Sequence, residues 1–277
     1  GDFDAMLKRR MIRVAAPYSR SLYYSDKGRE RGLAAELVRD FERWLNQKYA
    51  KELGKRPLTV YLVPATRDRL LPDVAGGLAD VAVGNLTVTE ERLRVVDMVS
   101  PAGVRDVREV LVTGPTSPPV PSLDDLAGRT VHVRLASSYH ESLAALNERF
   151  VREGRDPVRL VPVPEALEDE DMMEMVNAGL IQAIVVDEWK ADMWAQALPK
   201  IVVNDAVVLR DQGRTGWVVR KGSTKLAAEI EAFHQGWALK QGVINYRLAQ
   251  AMKRVKQMKD PTGSAEWKRF TDTLALF

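Results

Sequence analysis

The 277-residue chain contains no cysteine, which excludes disulfides, thiol catalysis and cysteine-ligated metals. Histidine is nearly missing too. His132, His140 and His234 are scattered along the chain without metal-ligand spacing. No apolar run approaches the roughly 20 residues of a membrane-spanning helix. Nor does one charge sign dominate: 41 Lys and Arg stand against 38 Asp and Glu, a net +3 with both signs interspersed, so nucleic-acid binding is not indicated. A nucleophile elbow, a Walker phosphate loop and a dinucleotide-binding glycine pattern are all absent. These absences point to a chain without cofactor or metal. The opening "GDFDAMLKRR" carries no export signal, so an exported protein would have lost its leader ahead of it.

What is present is ordinary for a folded protein, 45% apolar and 29% charged residues. The length calls for one large or two medium domains. In the first third, "MIRVAA" (Met11 to Ala16) has the apolar run of a buried strand, and Leu33, Leu37, Phe41, Trp44 and Leu45 then recur at helical spacing. Gly54 and Pro57 end that helix, "LTVYLVP" is a second strand, "DRLLPDVAGG" a short helix, and Asp80 to Val83 a third strand. Such alternation predicts a parallel sheet with helices packed on it.

The proline-dense "GPTSPPVPS", Gly114 to Ser122, has the composition of a crossing between domains. A second alternating unit follows, from "TVHVRL" through "QAIVVD" and "EWKADMWAQAL" to "KIVVNDAVVL", then a strand in "GRTGWVVRKGS" and a helix in "TKLAAEIEAFHQGWALKQG". The last stretch, from "NYRLAQAMKRVKQMK" to Phe277, is basic and helical in pattern, broken at Asp260-Pro261-Thr262-Gly263.

In open sheets, ligands bind beyond the carboxyl ends of strands, where helix N-termini point free N–H groups into a crevice. Three segments have that layout. In "DVAVGNLTVTEER", Thr87 and Glu90 fit a capping box, leaving Arg92 either a solvated charge or a bidentate grip on a carboxylate, with Asn85 and Thr87 beside it. In "VRLASSYHES", Ser138 and Glu141 form another capping pattern; Ser137 and Ser138 offer hydroxyl and N–H donors, and Arg134 either adds charge or faces water. In "IVVDEWKADMW", Asp187 is either an N-cap or the acceptor for a cationic amine. An anion clamp opposite a carboxylate suits a zwitterion. Tyr23 and Tyr24 are candidates to wall such a pocket. The acidic run "EALEDEDMMEM" has the pattern of a solvated helix face, and Met172, Met173 and Met175 that of packing.

In their order, "IRVAA", "GLAAELVRDF", "AGGLADVAVGNLTVTEERLRVVDMVSP", "SLDDLAGRTVHVRLASS", "NAGLIQAIVVDEW" and "GWVVRKGS" resemble the family 3 extracellular solute-binding proteins over about residues 10 to 242. The resemblance implies an α/β, periplasmic-binding-protein-like type II fold, with two lobes, a hinge and an interlobe cleft. It implies a periplasmic protein that binds a small molecule and is not itself an enzyme. By position, Arg92 and Thr87 match the residues that hold a ligand's α-carboxylate. Ser137 and Ser138 match the second-lobe pair that assists, and Asp187 matches the acceptor of the α-ammonium. One departure is that the acidic residue usual after the first strand is replaced by Ala15-Ala16-Pro17-Tyr18.

The wording "NLTVTEER", the Tyr23-Tyr24 pair and the terminal "DPTGSAEWKRFTDTLALF" are similar to the N-terminal module of MltF-type membrane-bound lytic transglycosylases. That similarity implies a sensor of an amino acid or a muropeptide stem peptide, fused to a transglycosylase domain attached to the cell envelope. Two other readings are a standalone amino-acid-binding component of an ABC transporter and a dehydratase on the same fold. The expected division is 10–113 for the first lobe, 114–210 for the second, 211–242 for a return to the first and 243–277 for a helical tail. The crossings are then near Thr113 to Pro115 and near Leu209 to Gly213.

Overall fold

Strands whose residues are apolar on both faces need a layer of helices on each side, and that requirement organises both halves of the chain. The computed structural model describes residues 1–102, 106–239 and 242–257. The first part runs α1 (Phe3–Arg9), β1 (Met11–Ala16), a hairpin of β2 (Tyr24–Asp26) and β3 (Arg29–Arg31), α2 (Leu33–Lys48), α3 (Ala50–Leu53), β4 (Thr59–Pro64), α4 (Arg67–Ala75), β5 (Val81–Thr87), α5 (Glu90–Leu93) and β6 (Val96–Val99). It continues through β7 (Val107–Thr113), β8 (Thr130–Val133), α6 (Ser138–Arg152), β9 (Arg159–Pro162), α7 (Asp169–Asn177), β10 (Ala183–Asp187), α8 (Glu188–Ala195) and β11 (Val202–Gly213). Last come β12 (Thr215–Arg220), α9 (Thr224–Phe233), a π-helical turn (His234–Leu239) and α10 (Val243–Gln257).

The first lobe holds a five-stranded sheet in the order β4-β1-β5-β12-β6. Its side chains sort by the two-residue period of a strand. Ile12, Val14 and Ala16 join Val81, Val83, Trp217 and Val219 in a core under α2 and α9, whereas Ala15, Ala82, Leu86 and Val218 face the other way, onto Leu70 and Val74 of α4. The expected parallel pairing holds for β1 with β4 and β5. β12 runs antiparallel to β5 and β6, because it arrives straight from the second lobe without a helical crossover.

The second lobe repeats the design. β7 lies between β10 and β11, antiparallel to both, and the parallel pair β8–β9 sits beside β10. Ile184 and Val186 point into one core with Met172, Met173 and Trp194; Ala183 and Val185 point into another with Leu143 and Phe150.

The expected division of the chain needs correction. β7 belongs to the second sheet, so the outward crossing lies between Val99 and Val107 and not at Thr113 to Pro115. The proline run Gly114 to Ser122 follows β7 inside the second lobe. The return is at Arg214, because β11 stays paired with β7 as far as Gly213↔Val107 and Thr215 already pairs with Thr87. β7 escaped sequence reading because "VREVLVT" carries charge at its start. α10 is also more than a tail. Arg247 donates to Asp40 and Arg254 to Glu36 in the first lobe, while Ala251 and Val255 are buried in the Trp194 core of the second. The terminal segment from Asp260 to Phe277 lies outside the described residues.

Candidate functional site

β5 ends in an irregular stretch that aims polar groups at the second lobe. Gly84 (φ 149°) and Asn85 (φ 57°) break the strand geometry, and the pairing register with β12 shifts there. A left-handed Asn in a strand is uncommon and marks a bulge that re-aims a side chain. Here the Asn85 Nδ2 donates across the cleft to Asp187 Oδ2 at 2.6 Å. Two residues on, Thr87 is buried at the strand end. It is not the helix cap that its spacing from Glu90 suggests. Thr89 caps α5, accepting from the Arg92 N–H at 3.2 Å.

Arg92 is buried, 8% exposed, not a solvated surface charge. Its guanidinium donates to two backbone carbonyls, Thr87 O at 2.8 Å in its own lobe and Ala136 O at 3.1 Å in the other. Among the described residues no carboxylate lies within ion-pair distance of it. Burial holds its pKa below the usual arginine value, opposed by the charge of Glu141.

The second lobe meets it with the N-terminus of α6. Ser137, not Ser138, is the cap: its hydroxyl accepts from His140 N and donates to Arg134 O. Ser138 opens the helix, and its hydroxyl donates to buried Glu109 at 2.7 Å. Both hydroxyl protons are thus engaged within the lobe.

Asp187 ends β10 and is 1% exposed. It occupies the N-cap position of α8, yet its side chain caps nothing. Oδ1 has no hydrogen-bond partner among the described residues. Burial pushes its pKa up to about 7, against the lowering pull of Lys190. Because the folded protein then binds a proton more readily than the unfolded chain, stability falls as pH rises from the ordinary 3.8 toward about 7. Asp187→Asn is therefore expected to stabilise the ligand-free protein at pH 8 by on the order of 1–3 kcal/mol, and much less at pH 4. Thermal denaturation of both proteins at the two pH values measures this; equal differences at both would refute the assignment.

Asn85, Thr87, Arg92, Arg134, Ser137, Ser138 and Asp187 all line one interlobe cavity of about 20 Å³, room for a water or so with the lobes in this arrangement. Tyr23 and Tyr24 do not line it. Tyr23 is buried in the first-lobe core, stacked on Tyr18 at 5.1 Å, and Tyr24 starts the β2–β3 hairpin. Arg134 lines the cavity but does not face water: it is 3% exposed and donates to Asp169 Oδ1 at 2.7 Å and Leu167 O at 2.8 Å.

The residues missed from sequence lie mostly in the acidic run. Glu168, Asp169, Glu170 and Glu174 are all buried, not a solvated face. Asp169 is the centre of a network, accepting from Arg134, from Lys190 Nζ at 2.9 Å and from Tyr139 Oη at 2.8 Å. Glu168 takes a bidentate pair from Arg67, Glu170 accepts from Ser19, and Glu174 and Asp171 accept from Arg20. Every one of those three donors comes from the first lobe. The density of carboxylates, answered by two arginines and a serine of the other half, was the available signal. Met172 and Met173 pack in the core as expected. Among the described residues no group of three or more acidic or histidine side chains is arranged to hold a metal ion.

Comparison with known proteins gives a consistent picture. The family model for bacterial extracellular solute-binding proteins, family 3, matches residues 12–240. The L-cystine-binding protein of Escherichia coli (strain K12) is 24% identical over 221 residues, 79% of this chain and 74% of its own length. Membrane-bound lytic murein transglycosylase F of Desulfosudis oleivorans is 29% identical over 198 residues, which are 72% of this chain but 41% of that protein. Among solved structures, an amino acid ABC transporter substrate-binding protein from Streptococcus pneumoniae, bound to L-arginine, superposes with a TM-score of 0.72 at 19% identity, covering 91% of this chain and 98% of that one. At that identity the likeness establishes the two-lobed α/β fold.

Proposed function

The chain belongs to the bacterial extracellular solute-binding proteins, family 3, and from that premise we propose that it binds a free α-amino acid between its lobes. It acts outside the cytoplasmic membrane, as a binding protein and not an enzyme. The observation that carries the reading is the pairing of Arg92 with Asp187 in one cavity. Among the described residues, Arg92 is a buried guanidinium with no carboxylate of its own, and Asp187 has a buried oxygen with no donor. A zwitterion supplies both: its carboxylate takes the bidentate fork of Arg92 and the Ser138 N–H, and its ammonium donates to Asp187 Oδ1. The ammonium also supplies the positive charge that returns Asp187 to its ionised form. Closing the lobes on such a ligand turns binding energy into a change of shape that a transporter reads.

The names of the relatives fit, one a cystine binder and one bound to arginine. The likeness to part of a longer lytic transglycosylase favours a second reading, in which the same cleft senses a muropeptide stem peptide and regulates a fused enzyme. Calorimetric titration with the free amino acids and with stem peptides separates the two. Binding of a free amino acid is expected; binding of stem peptides alone would replace the first reading by the second.

A further inference from the structure

Two cavities flank the space between Arg92 and Asp187, and one ion pair stands between the central cavity and the smaller of the two, on the Tyr18 side. Arg67, at the start of α4, reaches across from the first lobe to Glu168, at the start of α7 in the second, through Nε–Oε2 at 2.7 Å and Nη2–Oε1 at 2.9 Å. The two side chains are 8% and 3% exposed. Arg67 lines the central cavity. Glu168 lines a chamber of about 220 Å³ walled by Pro17, Tyr18, Pro64, Ala65 and Glu165. We infer that the Arg67–Glu168 pair is a size gate, limiting the ligand to amino acids with side chains no bulkier than those of alanine or serine. The inference rests on the zwitterion reading of the site and names the ligand class.

The argument for a gate is geometric first. A backbone anchored on Arg92 and Asp187 has the Arg134–Asp169–Lys190–Tyr139 network on one side, every member tied to Asp169. Arg92 itself and Ala136 close the way to the outer groove, joined by the Arg92–Ala136 hydrogen bond. With that outer groove, the larger at about 520 Å³, shut by the same Arg92 that anchors the carboxylate, the room left for a side chain is the Tyr18 chamber, and reaching it means parting Arg67 from Glu168. Charge then sets the resistance. A freed Glu168 would lie buried and unpaired beside Glu170, whose own pKa is already raised by burial and by the charge of Glu168. A long cationic side chain would pair with Glu168 but meet Arg67, a like charge, and an apolar one would leave both ions unpaired. A ligand with only a methyl or hydroxymethyl group leaves the pair intact, so the closed arrangement keeps its bond.

The experiment is calorimetry on the full chain with glycine, both enantiomers of alanine, serine, phenylalanine, arginine and cystine. It uses the parent and the double variant Arg67→Ala with Glu168→Gln, in which Gln keeps a polar group at the α7 start. The parent is expected to bind one of the small ligands at least about tenfold more tightly than any long one, and the variant to lose that preference by about tenfold or more. Arg67→Met with Glu168→Gln retains the bulk without the charges and is expected to lift the discrimination against arginine specifically; it serves if the first variant fails to fold. Tightest binding of a long amino acid by the parent, or an unchanged ratio in a folded variant, overturns the gate and leaves the zwitterion site standing. No binding of any amino acid overturns both.

Discussion

Arg92→Ala is expected to abolish amino-acid binding, a loss of about 2–5 kcal/mol or more, corresponding to roughly thirtyfold to several thousandfold in affinity. The guanidinium is desolvated and fixed by Thr87 O and Ala136 O, so it meets a ligand carboxylate without reorganising. Arg92→Lys should fail nearly as badly, because an ammonium cannot present the planar fork. The folded state is expected to change far less, by about 1–2 kcal/mol, since two carbonyls lose a donor but a buried cation held below its usual pKa is removed as well. This modest cost comes from those opposing terms and not from exposure. Calorimetry with thermal denaturation on both variants checks it; retained affinity in a folded Arg92→Ala protein would displace Arg92 from the site.

The largest effect on stability is expected at Asp169. Asp169→Ala leaves Arg134 and Lys190, 3% and 1% exposed, as buried cations without their shared carboxylate, and strips Tyr139 of its acceptor. Removing one side of a buried pair costs about 3–5 kcal/mol, so thermal unfolding should fall by on the order of 10 °C. Burial alone would push the Asp169 pKa up, but Lys190, Arg134 and Arg67 together hold it well below the usual carboxylate range. Its contribution is therefore complete above the unfolded pKa and is lost as the solution is acidified below about pH 4. Asp187 and Glu170, with raised values, act with the opposite sign. A drop in melting temperature at neutral pH that shrinks at low pH supports the network; a variant as stable as its parent would contradict it.

Much of this was legible before any coordinates. Apolar runs such as "MIRVAA" and "QAIVVD" read as buried strands because both their faces are covered, and the motif order placed seven of the nine candidate residues around one cavity. What escaped was whatever depends on which lobe lies opposite. Glu168 to Glu174 look like a solvated helix face until Ser19, Arg20 and Arg67 are seen to reach them from more than a hundred positions earlier in sequence. Tyr23 and Tyr24 follow the first strand at a distance that suits a pocket wall, but Tyr23 turns into the core under α2. The caps slipped by one or two residues, from Thr87 to Thr89 and from Ser138 to Ser137, because a neighbouring hydroxyl caps without a glutamate three residues on and only backbone geometry chooses between them. The bulge at Gly84-Asn85, which carries an amide to Asp187, had no local signal beyond a glycine inside a strand.

The central claim is that a ligand carboxylate sits on Arg92 between the lobes, and one comparison tests it most directly. Alanine and alaninamide differ only in replacing that carboxylate by a neutral amide. Titrated into the same protein by calorimetry, alanine is expected to bind and alaninamide to show no measurable heat. Equal affinity for the two would contradict the account, since nothing in the cleft would then be reading the negative charge.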